Sequence, residues 1–400
     1  MQRRSLLVGA IGLACAAILG WYLLEGAEPA GDALAAPATG TPPPPVLPEV
    51  AASASNTSGP WSPAGASAKQ LQLQQARERY ERATQVYTSY RDATRYPHTS
   101  RPISEHPDQA KPFAPVEELK ALRDASGKGV KGVRLRTSQD RVFLGGAESV
   151  LFTLEALDDN NRPLPLTVES SSAQTMADTS APVTLITAQV PFNDDGATPD
   201  TQARDGKYMA RLTPSTQGFA AYAGTIRLVA RVSAGGEQGA IAFDVVYAPN
   251  VPASWAGARE AQENGSLHFY LKAQVREAGR YVVSGRVYDA KGVPFALLQF
   301  NDEVKAGTQE FKLTLFGALI RDKNPAFPLS LVDVEGFLLH ENVFPDRAMM
   351  ARQSGTVITS KPYAVSSFSA AEWSSEERDR YMREYGKDMQ AALDDLNQLQ

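Results

Sequence analysis

Leu267-His268-Phe269-Tyr270-Leu271-Lys272-Ala273-Gln274-Val275 alternates apolar and polar side chains without a break. A period of two puts Leu267, Phe269, Leu271, Ala273 and Val275 on one face of a strand, and His268, Tyr270, Lys272 and Gln274 on the other. The expectation is a half-buried β-strand with His268 on its solvated face. Related runs follow at Gly279 to Tyr288, Phe295 to Asn301, Gln309 to Phe316, Leu329 to His340 and Thr356 to Tyr363. Short β-rich runs separated by turn residues predict a β-sandwich between about Trp255 and Phe368.

The same period appears upstream, in Val133 to Arg136, Val150 to Leu157, Val183 to Val190, Tyr208 to Leu212, Gly224 to Val232 and Ala240 to Val246. The expected fold class is therefore mainly β, with two consecutive immunoglobulin-like or jelly-roll-type β-sandwiches at 132–249 and 250–368. Both halves share a local pattern. A strand ends in Asp158 or Asp289, turns through polar residues and resumes after Pro163 or Pro294, which predicts a hairpin in each.

Outside the β-rich part, the period changes. Leu73, Ala76, Tyr80, Ala83, Tyr87, Tyr90 and Thr94 recur in steps of three and four, which predicts an amphipathic helix from Ser67, ended by Pro97. Two readings of this stripe stand: a coiled-coil stalk, or packing on a neighbouring domain, which suits its Tyr and Ala content better. Five prolines between Tyr96 and Pro115 predict an irregular strap, so 67–131 reads as helix and strap. Segment 369–400 reads as a C-terminal helix capped by Ser374 or Ser375, with Tyr381, Tyr385, Met389, Leu393, Leu396 and Gln400 as its stripe. Gly127 to Gly132 reads as a flexible basic connector.

The apolar run Leu6 to Leu24 follows Arg3 and Arg4 and precedes Glu25, Glu28 and Asp32. About 20 such residues span a bilayer core, and the basic pair favours a cytoplasmic N-terminus. The expectation is a single-pass inner-membrane anchor over 1–25, with residues 5–24 as membrane partner and 25–400 in the periplasm. The alternative is a signal sequence cut near Ala35, after Ala33-Leu34-Ala35, which would secrete the rest. Residues 26–66 are rich in Ala, Pro and Ser and contain no Lys or Arg, so they read as a disordered tether. Fully extended, about 40 residues reach up to roughly 120 Å. Cys15 is the only cysteine, which removes disulfides, thiolate metal sites and cysteine nucleophiles from the exported part. A net charge of −5 argues against nucleic acid as a partner.

The densest polar group is Asn193, Asp194, Asp195, Asp200 and Asp205, interleaved with glycines. Hard oxygen ligands of this kind suit calcium, which takes about 6 to 8 oxygens at roughly 2.3–2.6 Å. Their spacing differs from the helix-loop-helix calcium pattern, and Asp and Asn also cap tight turns, so a structural loop is the competing reading. Asp194-Asp195-Gly196, Pro199-Asp200 and Asp205-Gly206-Lys207-Tyr208 resemble the acidic hairpin of bacterial choice-of-anchor X domain proteins. Phe316 to Ile320, Pro328 to Val334 and Tyr363 to Phe368 are similar to the end of the same type of protein. The resemblance implies export, attachment to the envelope by varied anchors, and no established catalytic activity. Arg204 and Lys207 depart from the small residues that the family's acidic loop implies.

A catalytic signature is missing from the sequence. His98, His106, His268 and His340 have neither zinc-protease nor paired metal spacing, and there is no nucleophile elbow or Ser-x-x-Lys helix start. Paired carboxylates such as Asp333 and Glu335 are expected on the same face of a strand, an arrangement that acid–base work would need. The expected function is a membrane-tethered, exported, non-catalytic binding or scaffolding protein of the bacterial envelope, with an envelope protein or glycan as partner. The alternatives are an envelope-acting hydrolase and a calcium-dependent adhesion module.

Overall fold

The computed structural model describes residues 68–177 and 184–400. The expected anchor and tether, Ser67, and residues 178–183, which include Val183 of the expected Val183 to Val190 strand, lie outside the described residues. No helix among the described residues is long and apolar enough to cross a membrane. The chain is mainly β, with three sheets and three α-helices among the described residues. Residues Ala66–Gln400 form one compact unit, within which buried apolar side chains gather into two cores.

Helix α1 (Ala68–Ala93) leads into strand β1 (Ser100–Pro102) and two short 3-10 turns (Ile103–Glu105 and Pro107–Gln109). The first lobe follows, as β2 (Val116–Arg123), β3 (Gly129–Gln139), β4 (Phe143–Gly145), β5 (Val150–Leu157) and β6 (Leu166–Thr175). It continues with β7 (Thr187–Gln189), β8 (Tyr208–Leu212), β9 (Gly224–Ala234) and β10 (Glu237–Ala248). The strand order is β7-β6-β9-β10-β2-β3-β5-β8, with β4 beside β10. β10 meets β2 only at Ala240↔Arg123, so the sheet turns a corner there and folds back on itself. Alternate residues fill the space between the two walls, among them Phe152 and Leu154 on β5, Leu228 and Ala230 on β9, and Phe243 and Val245 on β10. This is sandwich packing, with the period of two turned inward.

The second lobe contains β11 (Ala253–Glu263), β12 (Ser266–Val275), β13 (Gly279–Tyr288), β14 (Pro294–Val304) and β15 (Gly307–Leu315). Helix α2 (Gly317–Lys323), β16 (Ser330–Leu339), β17 (Arg347–Met349) and β18 (Gln353–Thr359) complete it. One sheet runs β11-β12-β15; the other runs β1-β14-β13-β16-β17, with β18 on β16. Leu267, Phe269 and Leu271 from the first share a core with Tyr281, Val283, Leu298 and Leu331 from the second. Burying each such side chain stabilises by roughly 1.5–3 kcal/mol.

His268 corrects the expectation of a solvated face, because it is buried. Its Nε2 lies 3.2 Å from the Glu263 carbonyl and its Nδ1 3.0 Å from the Thr314 hydroxyl. A carbonyl can only accept, so Nε2 carries the proton and Nδ1 accepts from Thr314. The polar side chain is buried because both ring nitrogens find partners at the end of the strand. Strands β2, β6 and β11 escaped the period argument for a related reason. Their sequences are rich in Glu, Ala or Ser, and pairing with neighbours overrides propensity. In β6 the Ser171 hydroxyl is buried and donates to the Val190 carbonyl at 2.6 Å.

The two expected Asp turns share one geometry, but only one closes a hairpin. Asp289 Oδ1 accepts from the backbone N–H groups of Lys291 and Val293, both at 2.9 Å, between paired strands β13 and β14. Asp158 Oδ1 accepts equivalently from Asn160 and Arg162 at 2.8 Å. There, however, the chain crosses from β5 to β6, which are not ladder partners and share only the bridge Leu157↔Pro163. A third copy, Asp124 with Ser126 and Lys128, closes the β2–β3 hairpin. The expected basic connector is thus partly a capped turn and partly β3.

After β18 the chain enters α3 (Glu376–Leu399), capped by Ser375 accepting from the Arg378 N–H at 3.1 Å. Helix α3 lies antiparallel on α1: Arg79 pairs with Asp395 at 2.9 Å, Tyr90 contacts Tyr381 and Tyr385, and Arg378 Nε donates to Thr94. The expected stripe of α1, Leu73 through Thr94, is half-buried. The stripe of α3 needs correction: Tyr381 is 37% exposed, while Ala392 and Leu396 are buried. Its covered positions are Arg378, Asp379, Met382, Tyr385, Gly386, Met389, Ala392, Leu393, Leu396 and Leu399, a seven-residue repeat that retains Tyr385, Met389, Leu393 and Leu396 of the expected stripe.

The strap is held to the second lobe by Arg286, the largest fully buried side chain among the described residues. Its Nε donates to the Gln109 carbonyl at 2.9 Å and its Nη2 to Gln109 Oε1 at 2.9 Å and Glu335 Oε1 at 3.1 Å. Nη1 donates to the Asp333 carbonyl at 3.0 Å and to Ser284 Oγ at 3.4 Å. All five guanidinium donors are used, which is the condition for burying this group. Arg95 Nε and the Tyr96 hydroxyl both donate to Asp322 Oδ2 at 2.8 Å, fixing the end of the helix pair to α2. Between the lobes, the Arg347 guanidinium lies 4.3 Å from the Phe143 ring and 4.9 Å from the Phe337 ring. Arg352 also reaches from the second lobe to the Asp140 carbonyl at 3.2 Å.

Candidate functional site

The acidic loop joins β7 to β8. Asn193 anchors its start through paired backbone bonds with Met209, each 2.9 Å. Asp194 then turns back over the loop's end, its Oδ1 accepting from the Asp205 N–H and its Oδ2 from the Gly206 N–H, both at 3.1 Å. Asp200 is buried; its oxygens accept from Gly196 at 2.6 Å and Gln202 at 3.2 Å. Backbone N–H donors, Gly196 foremost, hold its carboxyl below the usual carboxylate range. Gly196 and Gly206 have φ of +74° and +81°, which glycine adopts at no steric cost.

Three of the five singled-out residues converge. Carboxylate oxygens of Asp194, Asp200 and Asp205 lie within 4.8 Å of one another, about the spacing of two oxygens on opposite sides of one calcium ion. Asp195 stands apart from this group, its Oδ1 accepting from the Ala197 N–H at 2.9 Å. Asn193 contributes the backbone pairing just described. The three acids bring one hard, charged oxygen each into this group, fewer than the roughly six to eight that calcium takes. The same oxygens serve the loop's own N–H groups, and a carboxylate oxygen has a second lone pair to offer.

The other singled-out groups have separate partners. The Glu335 carboxylate accepts from buried Arg286, and Asp333 Oδ1 accepts from the Gly355 N–H at 2.7 Å. A register irregularity next to Asp333, whose φ is +51°, interrupts the alternation that would set both acids on one face. His340 Nε2 lies 3.5 Å from Glu277, and His268 belongs to the other sheet. His98 is exposed on the strap and His106 half-buried there. Sequence reasoning passed over Arg286, Gln109 and Arg347. A lone arginine amid the β-run Tyr281 to Tyr288 was the available signal for the first.

No protein-family model matches the chain. No curated protein matches it either. Among solved structures, the chain is similar to a DUF4785 family protein from Legionella pneumophila, at 12% identity and a TM-score of 0.37. The alignment covers 57% of this chain and 57% of that one, so the chain spans little more than half of that structure's length.

Proposed function

We propose that this chain is a membrane-tethered, exported, non-catalytic binding or scaffolding protein of the bacterial envelope. The observation that carries this reading is the helix pair. Helix α1 begins where the Ala/Pro/Ser-rich tether ends, and its Arg95-Tyr96 end is fixed to the second lobe. A 26-residue helix at about 1.5 Å per residue is roughly 39 Å long. Such a spacer suits a body displayed to a partner, with loops supplying the contacts. In this reading residues 5–24 are the anchor, the lobes are immunoglobulin-like or jelly-roll sandwiches, and the protein resembles the choice-of-anchor X group.

Expression in a diderm bacterial host tests placement. The full chain should stay with inner membranes after a carbonate wash, keep residues 1–35, and lose its lobes to protease only when the periplasm is opened. Recovery in the cytosol would overturn the reading; a mature start at Ala36 would replace the anchor with secretion. A pull-down from envelope extracts that recovers no reproducible partner would remove the binding role.

The convergence of Asp194, Asp200 and Asp205 favours a second reading, a calcium-dependent module. Saturating calcium at about 100 times its dissociation constant would stabilise the fold by about 2.7 kcal/mol. A melting temperature that calcium leaves unchanged, in the wild type as in Asp200→Asn, sinks this reading alone.

A further inference from the structure

Strand β2 is bonded along one edge only. It runs antiparallel to β3 from Val116↔Gln139 to Ala121↔Arg134, whereas β10 meets it at the single position Ala240↔Arg123. Among the described residues, the outer edge from Val116 to Ala121 therefore presents backbone N–H and C=O groups with no strand alongside. Edge strands of soluble proteins are commonly blunted by proline, bulges, extreme shortness or charged side chains, lysine above all, and of these devices residues 116–121 of β2 have only charges, Glu117, Glu118 and Lys120, which carry both signs. Residues 116–121 contain no proline and keep an unbroken register, and they leave Val116 58% and Leu119 52% exposed. The seam beside this edge is covered by Lys120, whose ammonium lies 5.9 Å from the Phe243 ring and pairs with Glu118.

We propose that β2 docks a second copy of this chain, the two β2 strands pairing antiparallel about Leu119. The sequence Val116-Glu117-Glu118-Leu119-Lys120-Ala121-Leu122 is complementary to itself in that register. Glu118 of each copy faces Lys120 of the other, Leu119 faces Leu119, and Glu117 faces Ala121. No like charges stand opposite one another, and opposite-charge and apolar cross-strand pairs are the favourable ones. A two-fold interface requires a patch that complements itself. This order of charges selects a second copy over a foreign strand.

The test is sedimentation of the full chain in mild detergent, with charge reversal at the two facing positions. The wild type should sediment at twice the chain mass. Glu118→Lys and Lys120→Glu should each weaken association by about tenfold or more, and the double exchange E118K/K120E should restore it. The single variants should still unfold cooperatively, and their melting temperatures should fall only by what the weaker association accounts for. Independently, Leu119→Cys in a Cys15→Ser background should form a disulfide between copies under mild oxidation, which keeps the proposal testable if a charge variant folds poorly. A wild type that stays monomeric to about 100 μM overturns the proposal. So do single reversals that remain dimeric, which would put the contact elsewhere, and Leu119→Cys chains that do not cross-link.

Discussion

Replacing Arg286 should uncouple the strap from the second lobe and cost more stability than any surface arginine. The side chain is fully buried and donates to two acceptors on Gln109, to the Asp333 carbonyl, to Ser284 and to Glu335. Arg286→Met keeps much of the volume but leaves a carboxylate and three oxygens on Gln109 and Asp333 without their donor. Breaking a buried pair on one side costs about 3–5 kcal/mol. Arg286→Lys keeps the charge on one nitrogen and cannot reach Gln109 and Asp333 together, so about 2 kcal/mol should be lost. Glu335→Gln should cost least, about 1 kcal/mol, because that side chain is 24% exposed and water can replace part of what it loses. Urea unfolding followed by tryptophan fluorescence reads the order Met, Lys, Gln. Limited proteolysis at Lys111 should accelerate in parallel. The reasoning fails if Arg286→Met matches the wild type, or if it loses stability while Lys111 stays protected. Combining Arg286→Met with Glu335→Leu and Gln109→Met should recover part of the loss, since the unpaired partners go too.

Three further outcomes are expected. Burial holds the His268 imidazole below its usual pKa, so the unfolded chain takes up this proton first; stability is full above about pH 6.5 and falls below it, by at most about 1.4 kcal/mol per pH unit. The difference in urea midpoints between wild type and His268→Gln, followed from pH 7.5 to 5, should show that slope, and parallel curves would refute the buried neutral ring. Gly386→Ala should raise the melting temperature, because a Cβ there meets Tyr87 at an ordinary 3.6 Å while alanine gains about 1 kcal/mol in a helix; a lower value would mean the helix pair is more tightly packed than described. Gly145→Ala should destabilise by about 1–3 kcal/mol, since its Cβ would stand 2.7 Å from the Met349 carbonyl oxygen across the two lobes, and differential scanning calorimetry should split the lobes' transitions; one unsplit transition at the wild-type temperature would refute it.

The strands most legible in the sequence are those with one buried face, since the core imposes a period of two. Val150–Leu157, Tyr208–Leu212 and Gly279–Tyr288 have the expected bounds for that reason. β11, Ala253–Glu263, was not legible. Its alanines, Gly257 and charges show no period of two, and pairing with β12 makes it a strand, with a register shift between Trp255 and Gly257. Burial of His268 was equally hidden, because Glu263 and Thr314 reach it through the fold and not through sequence spacing. In the acidic loop, clustering was foreseeable from composition. Which three of the five residues meet depends on how the turns fold Asp205 back to Asp194.

Strand β1 pairs with β14 at Arg101↔Leu297, so the second lobe holds a strand made before any of the first lobe. During synthesis, at about 5–20 residues per second, this segment waits roughly 10–40 s for its partner. The first lobe can close meanwhile, being continuous in the chain; the second completes only after the strap is reclaimed. Loop closure grows only logarithmically with length, so the delay costs little free energy. It sets an order of assembly, in which the first lobe folds as an insertion within a still unfinished second one.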